Sequence, residues 1–60
     1  MRVQIPTYTD RWMMGDRYGE VIKLKQARVP INGVKPEIAH VKLDKSGKTV
    51  RVLFDDCTIL

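Results

Sequence analysis

Sixty residues allow one domain, residues 1–60, and a core that removes only about 60% of the unfolded surface from water. One cysteine and one histidine exclude an intramolecular disulfide and a structural zinc centre within one chain. A net charge of +4, from 11 Lys and Arg against 7 Asp and Glu, favours acidic partners such as nucleic acid.

The first predicted element is a strand, Met1 to Ile5, with Val3 and Ile5 on one face. Pro6 ends it, because proline cannot donate to a ladder. Helix signals are nearly absent, and Thr7 to Met14 is rich in β-branched, aromatic and polar residues. Gly15-Asp16 and Gly19 mark bends. Glu20 to Lys25 is a strand in which Ile22 and Leu24 alternate with Lys23 and Lys25. Between Pro30 and Pro36, Asn32-Gly33 is the strongest two-residue turn signal in the chain.

The last third predicts a hairpin. Ala39, Val41 and Leu43 share one face, as do Val50, Val52 and Phe54. The two apolar rows coincide if Asp44 to Gly47 form the loop, so that Val41 meets Val50 and Ala39 meets Val52. Gly47 then takes the position that wants a positive φ, and Asp44 can bond turn amides. Gly47-Lys48-Thr49 also looks like the end of a phosphate-binding loop. That motif needs a glycine where Lys42 stands and a helix where a β-branched strand begins. The hairpin is the better reading. Asp55 and Asp56 can cap one tight helical turn, and Thr58 to Leu60 form a short closing strand.

These elements predict an all-β fold. About five short strands and a one-turn 3₁₀ helix before the last strand fit a small closed or nearly closed barrel, since an open sheet of this size leaves long edges. "GDRYGEVIKLK" resembles the opening strands of KOW and Tudor-type modules, and "HVKLDKSGKTVRVLFDDCTIL" resembles the end of such SH3-like barrels. The resemblance implies a single SH3-like barrel of the kind that serves ribosomal proteins, transcription factors, chromatin readers and adaptors. A smaller resemblance links "MGDR" (Met14 to Arg17) and "VQI" (Val3 to Ile5) to type II dihydrofolate reductases, which are oligomeric SH3-like barrels. That family carries its Val-Gln-Ile-Tyr motif late in the chain. Here "VQI" is N-terminal and Pro6 stands in place of the tyrosine.

No catalytic constellation emerges, and nothing calls for a cofactor. His40, beside Lys42 and opposite Arg51, reads as a solvated imidazole ahead of a proton-transfer group. Cys57 follows two aspartates, the wrong surroundings for a thiolate, and reads as a small apolar plug. The leading expectation is a non-enzymatic binding module for nucleic acid, RNA or DNA. Its phosphate contacts would come from Lys42, Lys45, Lys48 and Arg51 on the hairpin, with Arg17 beside the aromatics Tyr8, Trp12 and Tyr18 for base stacking. The rival is a protein-interaction module that docks through Tyr8 to Tyr18, where Met13 and Met14 add adaptable apolar surface. Ile38 and Leu53, paired on the outer face, or an edge strand, would support weak self-association. No stretch reaches the ~20 apolar residues of a membrane span, and an unpaired cysteine without a secretory leader suggests the cytoplasm.

Overall fold

The computed structural model describes residues 1–60 and contains five strands: β1 (Arg2–Gln4), β2 (Tyr18–Gln26), β3 (Glu37–Leu43), β4 (Thr49–Leu53) and β5 (Thr58–Ile59). All pair antiparallel, in the order β4-β3-β2-β1-β5. The fold is a small all-β domain. A short helix, α1 (Asp10–Met13), joins β1 to β2, and a 3₁₀ turn, η1 (Phe54–Asp56), lies between β4 and β5.

The β3–β4 hairpin has the register that parity demands. Ile38 opposes Leu53, Ala39 opposes Val52, His40 opposes Arg51 and Val41 opposes Val50. A slip by one residue would turn Val50 and Val52 to solvent, so burial of the inner face fixes the pairing. Asp44 to Gly47 close the loop, with the Gly47 amide donating to the Leu43 carbonyl at 3.0 Å and the Leu43 amide donating to the Lys48 carbonyl at 2.8 Å.

Inner-face residues build the core. Val3, Ile5, Ala39, Val41 and Leu43 are buried, and Trp12, Val21, Val50, Val52, Phe54 and Cys57 pack against them. Each fully buried Val or Leu side chain contributes on the order of 1.5–3 kcal/mol. Cys57 thus fills apolar space, and its thiol donates to the Leu53 carbonyl at 3.5 Å. Gly19 lies inside β2 and is no bend. A β-carbon there would stand 2.5 Å from the Lys42 carbonyl oxygen and 2.6 Å from Val41 Cγ1, so only glycine lets β2 approach β3 so closely.

Three further expectations need correction. Thr7 to Met14 contains α1, because a helix of four residues is too short to show a period. It is held by its ends. The Thr9 hydroxyl accepts from the Trp12 amide at 3.3 Å. The Gly15 and Asp16 amides close the other end on the Trp12 and Arg11 carbonyls. Second, Ile22 and Leu24 do not alternate evenly. The register shifts between Val21 and Lys23, leaving Ile22 in a bulge and placing Leu24 opposite the buried Ala39. Third, Asp55 and Asp56 sit within η1 and make no cap; the position before it is Leu53.

Beyond Ile38–Leu53, where the pairing with β4 ends, β2 and β3 continue from the sheet as a hairpin arm. Gln26 opposes Glu37, the Ala27 amide donates to Pro36, and Ile31 bridges Val34 around Asn32-Gly33. Asn32 and Gly33 have φ of 51° and 78°, as the sequence of that turn predicts.

Candidate functional site

Opposed residues in antiparallel strands project to the same side, so the register defines the outer face row by row. Lys23, His40 and Arg51 form one row across β2, β3 and β4. Adjacent strands lie ~4.8 Å apart, so this row spans about 10 Å. Lys25, Ile38 and Leu53 form the row on one side, and Glu20, Lys42 and Thr49 the row on the other. Ile38 and Leu53 are half-buried.

The carboxylates on this face are already occupied. Glu20 holds the amino group of Met1 at 2.9 Å. Asp44 accepts two bonds from the Arg2 guanidinium, one of them at 2.8 Å. Lys23, Lys25, Lys42 and Arg51 form no ion pair. Lys23, Lys25 and Arg51 meet no carboxylate in their own rows, whereas Lys42 lies opposite Glu20.

The basic residues expected on the hairpin divide between two sides. Lys42 and Arg51 lie in the outer-face rows. Lys48 is opposite Leu43 and so has inner-face parity, although it is exposed at the hairpin end. Lys45 turns elsewhere. Its amide donates to Asp16 Oδ1 at 3.3 Å, and its ammonium lies 3.3 Å from where a β-carbon on Gly15 would stand. Lys45 thus lines a hollow of about 320 Å³ with Arg11, Met14, Asp16 and Ser46. Asp16 is buried, and its Oδ2 has no hydrogen-bond partner.

The aromatics are also separated. Tyr18 opposes Gln4 at the start of β2, has outer-face parity with Glu20 and is 45% exposed. Trp12 packs against the core and carries the Arg17 guanidinium 4.5 Å from its ring centroid. Arg17 Nε also donates to the Trp12 carbonyl at 3.2 Å. A base stacking on that ring face would have to displace Arg17. The exposed Tyr8 donates its hydroxyl to the Asp56 carboxylate, and this bond holds the phenol above its ordinary pKa. Tyr18 is therefore the one of the three that shares a face with the basic rows.

Sequence reasoning missed Lys23 and Lys25 as members of this face. The alternation of Lys23 and Lys25 with Ile22 and Leu24 is a local signal, but their alignment with His40 and Arg51 depends on which strand pairs with β3 and on the bulge at Ile22.

No group of three or more His, Cys, Asp or Glu residues is placed to hold a metal ion. No helix is long and apolar enough to cross a membrane. No protein-family model matches the chain, and neither does any curated protein or solved structure. The fold and face together describe a small, basic, all-β domain.

Proposed function

We propose that the chain is a small non-enzymatic binding module that associates with nucleic acid through the outer face of β2, β3 and β4. The row Lys23–His40–Arg51, flanked by Lys25 and Lys42, carries this reading. Lys23 and Arg51 stand at the two ends of that row, with Lys25 and Lys42 in the rows beside it, and these four cations suit a run of phosphates. Tyr18 supplies a ring on the same face for stacking a base. The strand order and the 3₁₀ turn before β5 support an SH3-like barrel, which agrees with the KOW and Tudor-type resemblance. The unpaired Cys57 fits a reducing, cytoplasmic setting.

A fluorescence titration with a short oligonucleotide at two salt concentrations tests the reading. Three to four phosphate contacts give a slope of log affinity against log salt near roughly −3. Lys42→Glu with Arg51→Glu flattens that slope. Absence of binding at low salt, where attraction is greatest, removes the proposal.

The second reading is a protein-interaction module that docks through Tyr8 to Tyr18. It is favoured by one observation: Met13 and Met14, adjacent at the end of α1, are 77% and 65% exposed. It predicts binding that depends weakly on salt and is lost on Met13→Asp.

A further inference from the structure

The net charge of the chain equals that of residues 21–36, the segment that runs out to the arm's tip and back as far as Glu37. Residues 21–36 contain Lys23, Lys25, Arg28 and Lys35 and no Asp or Glu; the remaining seven cations and seven carboxylates cancel. The same segment ends in exposed aliphatic side chains, with Val29, Ile31 and Val34 at 74%, 56% and 67%. These residues serve no core, since the buried cluster draws nothing from 21–36 except Val21 at its margin.

We propose that this arm enters the major groove of duplex DNA, with its cations on the phosphates and its aliphatic tip on base edges. The inference rests on the nucleic-acid reading above and extends it to a form of nucleic acid and a groove. Three observations select this partner. The arm is a hairpin, paired at Gln26–Glu37 and bridged again at Ile31–Val34 with an irregular stretch between, and the B-form major groove, about 12 Å wide, admits two antiparallel segments side by side. The deep, narrow major groove of A-form RNA does not. The tip presents methyl-bearing side chains, which meet the 5-methyl group of thymine in that groove. The arm is also continuous with the outer face, because Lys23 belongs to the row that includes His40 and Arg51.

The same features argue against two other partners. Segments that settle at a lipid interface use Trp and Tyr as anchors, and the arm has no aromatic residue. Protein interfaces centre on Trp, Tyr and Arg in desolvated pockets, whereas the arm has no Trp or Tyr and its cations form no ion pair.

The test compares a duplex DNA of about 20 base pairs, wide enough to span two turns of groove, with the single strand, the duplex RNA of the same sequence, a duplex with uracil for thymine, and anionic lipid vesicles. Two variants accompany the wild type. In one, residues 27–36 are replaced by Asn-Gly, which suits the flanking Gln26–Glu37 pair. In the other, Arg28→Glu and Lys35→Glu are combined at full length. Circular dichroism and thermal melting confirm that each folds. The wild type is expected to prefer duplex DNA to duplex RNA and to lose affinity severalfold with uracil. Each variant is expected to bind duplex DNA about tenfold or more weakly, and its salt slope to fall by about two as two phosphate contacts are lost. Folded variants that bind duplex DNA as tightly as the wild type overturn the arm and leave the outer-face reading standing. Equal or tighter binding of duplex RNA, or insensitivity to uracil, overturns the groove assignment. Capture by vesicles with no binding to any nucleic acid overturns both readings.

Discussion

Arg2 on β1 and Asp44 at the head of the β3–β4 loop form a two-pronged ion pair between positions 42 residues apart in the chain. The planar guanidinium fork matches the carboxylate, so the pair fixes orientation as well as distance. It ties the free end of the hairpin to the N-terminal strand, and it withdraws one carboxylate from the basic face.

This pair gives a pH prediction. The hydrogen bonds from Arg2, reinforced by its charge, hold the Asp44 carboxyl below the ordinary carboxylate range, and the partial desolvation opposes them. A lowered folded-state pKa stabilises the fold at pH values above the ordinary carboxylate pKa. That contribution is lost as pH falls through the lowered value. An NMR titration should show the Asp44 midpoint moving up toward the ordinary value in Arg2→Ala. Asp44→Asn should remove part of the acid sensitivity of folding. A midpoint unchanged by Arg2→Ala would show that the pair does not form in solution.

Gly19→Ala is expected to destabilise by about 1–3 kcal/mol, the usual range for overpacking. The added methyl meets backbone as well as the Val41 side chain, so a rotamer change alone cannot relieve it. Chemical denaturation measures the loss. A variant as stable as the wild type would mean that β2 and β3 lie further apart.

Gly47 has a φ of 73° and open space around it, so strain there is purely torsional. Gly47→Val should cost about 1 kcal/mol or more, because β-branched residues resist positive φ. Lys48→Ala should be near neutral. Nucleotide binding that vanished with Lys48→Ala would instead restore the phosphate-loop reading of this segment.

Burial, and secondarily the charge of Asp56, pushes the Cys57 thiol above its ordinary pKa. Only the thiolate reacts quickly. Alkylation of the folded protein near pH 8 should therefore be slow, and should accelerate in denaturant. Equal rates in both states would place Cys57 outside the packed layer.

The β3–β4 hairpin was legible in the sequence because strict alternation leaves a single register that buries both apolar rows. Its loop length and the role of Gly47 follow from the same parity. The Asn32-Gly33 turn was legible for a chemical reason, since few other pairs accept two positive φ values. What sequence reasoning lost depended on distant contacts or on very short elements. Asp44 was expected to bond turn amides, but Arg2 takes its carboxylate, and no local pattern announces a partner so far away. The helix α1 was not legible: its Thr9 cap and Gly15 stop enclose too few residues for a helical face to appear. The candidate face was legible by half. Lys42 and Arg51 were placed by the hairpin, whereas Lys23 needed the β2–β3 register and Lys45 was diverted by the buried Asp16.

The strand order also sets a sequence of assembly. The β3–β4 hairpin closes a loop of four residues, from Asp44 to Gly47, and can form as a local event. The β1–β5 ladder joins Val3 to Ile59 and Gln4 to Thr58, with the Leu60 amide donating to the Arg2 carbonyl at 3.0 Å. That closure spans almost the whole chain and rewards only two strand pairs, so its entropy must be met by the core that the other strands have already gathered. Zipping should therefore start in the C-terminal half and finish where the two ends meet. Mutations at Val41 or Val50 would then slow folding, whereas mutations at Ile59 would chiefly hasten unfolding.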